Sequence, residues 1–249
     1  MWHPTAMHRN GNLVRPWILT VQTTAINQTF GLTLQGTPLA VKVIWGDGSF
    51  NDYTTPGAKN HTFAAAGTYQ VLVSGSGSPG GASVTTGGNR LISTSPLQGV
   101  VGFYPNSTFA NCNNAAFTSL PNELYKNCAE SAMFSYGAIC FGCNKLVSLP
   151  ADLFSYHIGS GYTSFDFAFT NDTALTAIPP TLFDRARISS GPGVRSFNTS
   201  FSGCTALTGP APELWDPAQF NVPSSHANCF KNCTGLSNWA DIPNDWKGL

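Results

Sequence analysis

Phe169-Thr170-Asn171-Asp172-Thr173-Ala174-Leu175-Thr176-Ala177-Ile178-Pro179-Pro180-Thr181-Leu182-Phe183 decides the fold, because its spacing recurs on both sides. Take Asp172 as an anchor. Phe109-Ala110-Asn111-Cys112, Cys140-Phe141-Gly142-Cys143, Phe201-Ser202-Gly203-Cys204 and Phe230-Lys231-Asn232-Cys233 then fall in register with Phe169–Asp172. The anchors 112, 143, 172, 204 and 233 step by 31, 29, 32 and 29. Leu146, Leu149-Pro150 and Leu153-Phe154 repeat the positions of Leu175, Ile178-Pro179 and Leu182-Phe183. Leu207, Pro210-Ala211 and Leu214-Trp215 keep the spacing with changed residues. The first copy has two extra residues (Phe117, Leu120-Pro121, Leu124-Tyr125), and the last is looser (Leu236, Ile242-Pro243, Trp246). A fixed period near 30 is the mark of a solenoid whose units cannot bury their apolar residues alone. Each unit is expected to hold a short strand, such as Ser164–Phe169 or Ser196–Phe201. A turn and one helical turn opened by proline follow, as at Pro150–Ser155 and Pro179–Arg185.

Outward from the repeats, the composition narrows the function. Twelve basic residues face 12 acidic ones, and charged residues are only 10% of 249. No basic excess exists to hold a phosphate backbone, which argues against nucleic acid. With 42% apolar and 12% aromatic residues the chain is not disordered. The 25 glycines and 17 prolines favour turns and short strands over long helices. The start, Met1-Trp2-His3-Pro4, lacks the basic and apolar regions of a secretory signal, and no apolar run approaches a membrane span. The chain is therefore expected to be soluble and made in a cytosol.

The first third reads differently. Residues 1–16 form an N-terminal arm. Trp17–Thr24, Phe30–Gln35, Ala40–Trp45 and Tyr69–Ser74 are β-branched or aromatic runs bounded by turn residues, as strands are. Asp47-Gly48 supplies a hairpin turn. Residues 17–75 are expected to form one sandwich, 76–90 a Gly/Ser-rich linker, and 91–249 the repeats. Gly75-Ser76-Gly77-Ser78-Pro79-Gly80 satisfies G-x-G-x-x-G, but no βαβ unit surrounds it, so it is not read as a nucleotide loop.

Two resemblances follow from these residues. Trp45-Gly46-Asp47-Gly48-Ser49, Tyr53-Thr54, His61-Thr62-Phe63 and Gly67-Thr68-Tyr69-Gln70-Val71 together resemble a PKD-type immunoglobulin-like domain over about 60 residues. That implies a small antiparallel β-sandwich serving as a spacer or interaction module. The repeats resemble BspA-like leucine-rich repeats over about 140 residues. The expected fold is thus mainly β with short helices, an N-terminal Ig-like sandwich followed by a leucine-rich-repeat solenoid of about five coils. Such modules occur together in bacterial surface adhesins and in tailed-phage particle proteins. An adhesin is expected to carry an export signal and an anchor, and neither is visible. The resemblance therefore favours a non-enzymatic, virion-associated structural or attachment protein: tail fibre, tail tip or head decoration. The arm and sandwich would hold other virion proteins, and the repeats would bind host-surface glycan or protein. Few charges and many aromatics also suggest a homo-oligomer or a larger assembly.

Candidate chemistry is sparse. Cys112, Cys143, Asp172, Cys204 and Cys233 share one repeat position, as a buried structural ladder would. Cys140-x-x-Cys143 is a zinc half-site by spacing, yet Cys140 stands where other copies carry phenylalanine, and Cys229 with Cys233 is three coils away. Disulfides involving Cys128 or Cys229 remain open. Asp166 and Asp172 are the nearest to a carboxylate pair for glycoside hydrolysis. Asp47, Asn51 and Asp52 cluster as calcium ligands can, but a hairpin turn capped by Asp is the favoured reading. His61 is read as structural, and His157 and His226 assemble no site. No cofactor or metal is expected. The binding residues are expected among exposed aromatics around the repeats: Tyr136, Tyr156, Tyr162, Trp215, Trp239 and Trp246, with Tyr104 nearby. Flat apolar ring faces beside Asn, Ser and Thr suit sugars or a protein partner.

Overall fold

A computed structural model describes residues 7–9, 12–97, 100–104, 107–126, 134–155, 163–184, 195–218, 223 and 225–249. The protein is mainly β, with almost no helix among these residues. A hairpin of β1 (Met7–Arg9) and β2 (Asn12–Val14) lies within the expected arm and pairs only with itself. Next come β3 (Trp17–Thr23), β4 (Gln28–Leu34), β5 (Leu39–Ile44), β6 (Phe50–Tyr53), β7 (Gly57–Phe63), β8 (Gly67–Thr86), β9 (Leu91–Thr94) and β10 (Val100–Tyr104). One sheet has the order β6-β5-β8-β3-β9 and the other β7-β4-β8, with antiparallel pairing throughout. Strand β10 adds a parallel edge to β8. Alternation buries Trp17, Leu19 and Val21 from β3 and Leu39, Val41 and Val43 from β5 between the sheets.

The 76–90 stretch is not a linker. Residues 76–86 continue β8, whose 20 residues serve both sheets. Gly67–Val73 pairs with β3, Leu72–Gly77 with β5, and Ala82–Thr86 with β4. Glycine and serine depress strand propensity, but pairing on both sides overrides it. Gly88–Arg90 then forms a short 3-10 turn.

The second half is a stack of turns at the expected period. Its strands are shorter than the sequence suggests: β11 (Phe134–Ser135), β12 (Thr163–Ser164) and β13 (Arg195–Ser196), paired in parallel. Ser164–Phe169 and Ser196–Phe201 are not continuous strands. Neighbours Ala168 and Phe169 are both buried, as are Ser200 and Phe201, whereas a strand sends neighbours to opposite faces. The chain instead passes through overlapping turns with a left-handed residue five before and one before each anchor. These are Ser107 and Asn111, Ala138 and Gly142, Phe167 and Asn171, Thr199 and Gly203, and Asn228 and Asn232.

Every donor along this path has a place to go, as buried backbone requires. In the Asp172 coil, Phe165, Phe167, Phe169 and Asn171 donate to Ser196, Asn198, Ser200 and Ser202 of the next coil. The intervening Ala168, Thr170 and Asp172 donate three residues back, to Phe165, Phe167 and Phe169. The same alternation holds in the Cys204 coil. After Pro150 the Leu153 and Ser155 N–H close turns on Pro150 and Asp152, and after Pro179 the Leu182 and Asp184 N–H close turns on Pro179 and Thr181, with Asp184 in helical geometry.

Aromatic rings fill the interior in columns. Tyr136, Phe165 and Phe197 stack at 5.4 and 4.9 Å, and Phe169, Phe201 and Phe230 at 5.2 and 5.7 Å. The stack is closed at both ends. The first coil meets the sheets through Val84 N–H to the Thr108 carbonyl (2.8 Å) and Trp17 against Phe109 (6.3 Å). The last donates Asn228 and Phe230 N–H to Asp245 and Trp246 of α1 (Asn244–Lys247).

Candidate functional site

The anchor position is a buried ladder. The Cys143, Cys204 and Cys233 thiols donate to the Phe109, Phe169 and Phe201 carbonyls of the preceding coil at 2.8, 3.0 and 3.0 Å. Asp172 sits in the same column, wholly buried, and accepts the Cys143 N–H at 2.7 Å. Its Oδ2 has no partner among the described residues. Burial above all, with Cys143 beside it, pushes the Asp172 carboxyl well above the usual carboxylate range.

That sign makes a test. The folded carboxyl holds its proton more tightly than the unfolded one. Its contribution to stability is therefore greatest below the ordinary value of 3.8 and is lost as pH rises. The groups facing it, Cys143 and Cys204 with Cys112 and Cys140 beyond, offer no cation. Asp172→Asn keeps an acceptor for Cys143 and removes the charge. At neutral pH it is expected to stabilise the protein, because a buried amide carries no charge and has no proton to lose as pH rises. Urea unfolding from acid to neutral pH checks this, and a gap that does not close in acid contradicts it.

Six cysteines (Cys112, Cys140, Cys143, Cys204, Cys229 and Cys233) are free and buried, and Cys128 lies outside the described residues. Burial raises the Cys112, Cys140, Cys204 and Cys229 thiols well above their ordinary value and Cys233 to about 12. Burial opposes ionisation of Cys143 too. Hydrogen bonds from the Cys112 and Cys140 thiols and the Cys112 N–H outweigh it and make Cys143 the most acidic of the three. Alkylation of the native protein is expected to leave all six unmodified, with labelling appearing on unfolding. A native peptide map carrying label on Cys140 or Cys143 contradicts this burial. No disulfide joins the described cysteines, so the bridge considered for Cys229 is not formed. Among the described residues no group of three His, Cys, Asp or Glu could hold a metal.

The carboxylates considered for catalysis or calcium each have a hydrogen-bond or ion-pair partner at one oxygen or more. Asp166 Oδ1 accepts the Ser196 hydroxyl and the Asn198 N–H (2.8 Å). Asn198 Oδ1 repeats the pattern one coil on, with Ser225 and the Ala227 N–H at 2.7 and 3.0 Å. Asp166 is thus a second ladder residue, and Asp172 is buried in the first. Asp47 holds the Ser49 N–H and hydroxyl and pairs with His61 at 2.6 Å. Asp52 pairs with Lys42, and Asn51 accepts the Trp45 indole N–H. The hairpin cap therefore accounts for all three supposed calcium ligands. His61 stacks on Trp45, and His226 repeats the device by stacking on Trp246 and pairing with Asp245 at 2.6 Å.

The predicted aromatic surface is largely interior. Tyr136 is 1% exposed and Trp246 2%, so both are packing residues rather than binding residues. Trp215 and Trp239 are half-buried against the core, and Trp239 is covered by the Lys247 ammonium at 5.4 Å. Tyr156 and Tyr162 lie outside the described residues. Tyr104 ends β10. Among the described residues of the repeats the outward aromatic is Phe167, 47% exposed, with Phe141 half-buried on the coil before.

Phe167 and Asn171 are the two left-handed residues of one coil, and both are exposed. One row of turn corners runs Asn111, Gly142, Asn171, Gly203, Asn232, all with positive φ. The alternation is complementary, since the Asn111 Oδ1 lies 2.7 Å from where a Gly142 Cβ would sit, and Asn171 lies likewise over Gly203. Its signal was the Asn or Gly immediately before every anchor, as left-handed backbone demands.

No protein-family model, curated protein or solved structure matches this chain. The geometry alone therefore carries the functional reading. Among the described residues no helix is long and apolar enough to cross a membrane.

Proposed function

We propose that this is a non-enzymatic, virion-associated structural or attachment protein of a tailed phage, placed on a tail fibre, tail tip or head decoration. In this reading the sheets are a PKD-like, Ig-like sandwich. With the N-terminal hairpin it anchors the chain to other virion proteins. The repeats are a BspA-like leucine-rich solenoid that presents a face to host-surface glycan or protein, with no nucleic acid involved. The observation that carries it is a buried core that runs from the sheets into the repeats, with Asp166 bonded into the repeats and an Asn-rich face turned outward. The motif order supports the sandwich assignment. Trp45-Gly46-Asp47-Gly48-Ser49 makes the β5–β6 turn, His61-Thr62-Phe63 closes β7, and Gly67-Thr68-Tyr69-Gln70-Val71 opens β8. Solenoids serve such a role because stacked units extend a continuous face.

Mass spectrometry of purified particles, with immunogold labelling of intact virions, tests it. Label on a tail tip or capsid is the expected result. Absence from any particle, with the protein on a bacterial envelope, overturns it in favour of a surface adhesin.

A further inference from the structure

We infer that the turn face carrying Asn111, Asn171 and Asn232, with Phe141 and Phe167, is a binding site for an extended β-1,4-linked glycan chain. The inference rests on the attachment reading and specifies its face and ligand.

Three observations meet here. First, the asparagines are exposed, and none of their side-chain amides has a hydrogen-bond partner among the described residues. Four other asparagines of the repeats are in use: Asn113 caps Asn144, Asn114 caps Ala116, Asn198 caps Ala227 and Asn238 caps Ala211, while the amides of Asn144 and Asn228 are also without a bond among the described residues. Second, Phe167 is exposed and left-handed (φ 59), a conformation a bulky residue adopts at a cost. The equivalent position elsewhere holds Ser107, Ala138, Thr199 or Asn228, so the fold does not need the ring there. Strain that packing does not repay points to function. Third, the rows are in register, because Asn111, Gly142, Asn171 and Gly203 each donate to the next coil. Coils hydrogen-bonded in this way lie about 4.8 Å apart, so asparagines on every second coil recur at about 9.6 Å.

That spacing is close to the advance of two sugars in an extended β-1,4-linked chain, whose successive units are flipped. An amide at every second coil then meets equivalent groups on every second sugar. The Asn111 and Asn171 side chains lean over Gly142 and Gly203 of the next coil, which holds each amide in a repeated position along the row. Phe167 and Phe141 offer ring faces to the apolar face of a sugar, and the amides supply both donors and acceptors. A neutral polymer suits a row of amides in which Lys231 directly precedes Asn232 and Asp166 is bonded into its ladder.

The test uses the full chain with chitohexaose as probe and maltohexaose, α-linked and coiled, as control. Phe167→Ser and the triple variant Asn111→Gly, Asn171→Gly, Asn232→Gly put into these positions residues that other coils already carry, so folding is preserved. Each is expected to weaken chitohexaose binding at least tenfold with an unchanged melting temperature. Equal binding by these variants, or equal binding of maltohexaose, overturns the site. If the wild type labels host cells but binds neither hexasaccharide, the ligand class is wrong and the attachment reading stands. If it labels no host cell and no particle, that reading fails instead.

Discussion

Replacing Phe165 with alanine is expected to destabilise the protein by about 3–5 kcal/mol, the usual cost of deleting a fully packed phenylalanine. The ring is 1% exposed and stands where two columns meet. It stacks between Tyr136 and Phe197 at 5.4 and 4.9 Å and meets Phe154 and Phe183 edge-on at 4.9 and 5.2 Å. Each coil contributes one layer and is held only by its neighbours, so the cavity weakens contacts on both sides. Phe167→Ala, two residues away, is the control. Its ring is exposed and Ala138 already occupies the equivalent position, so the change is expected to stay within about 0.5 kcal/mol. Urea unfolding of both variants reads the difference, and similar losses would contradict the inward–outward assignment of this coil.

Gly75→Ala is expected to cost at least about 3 kcal/mol and to reduce the yield of folded protein. Gly75 has φ 139 and pairs with Val41 of β5 on one side and Val100 of β10 on the other. An added Cβ meets the Ala40 carbonyl oxygen and, at 2.7 Å, the Val41 Cα. Both are backbone atoms of a paired strand, so relief requires breaking the β5–β8 ladder. Strained backbone alone costs about 1–3 kcal/mol. Gly48→Ala isolates that part, since Gly48 has φ 96 and open space around it. If the two variants lose equal stability by thermal melting, close approach of β8 to β5 is not what requires the glycine.

These positions show how unevenly the molecule was legible. The sandwich strands β3, β4 and β5 lie where alternation of Trp17, Leu19 and Val21 or Leu39, Val41 and Val43 placed them, because burial on one face imposes a period of two. Strand β8 was cut short at Ser74 because Gly75–Gly81 has no apolar alternation, and its continuation rests on pairing with β4, β5 and β10. The candidate site was less legible still. Tyr136 and Trp246 looked like surface aromatics among polar residues, yet their rings close the core. Whether a ring turns in or out within a coil depends on the turn that carries it. Turn phase is set by hydrogen bonds to the next coil, which composition does not reveal.

What the sequence determined by itself is the period and the inventory: five anchors about 30 residues apart, the ladder of Cys112, Cys143, Asp172, Cys204 and Cys233, and the turn chemistry of Asp47-Gly48. Those features are local or repeat at fixed spacing, so identity and separation suffice to read them. The tertiary structure alone decided which groups remain available. It joined Asp166 to Ser196 and Asn198, buried Asp172, turned Tyr136 inward, and left the amides of Asn111, Asn171 and Asn232 beside an exposed Phe167. The physical reason is that a polar group is spent or free according to what the neighbouring coil, some 30 residues away, sets against it.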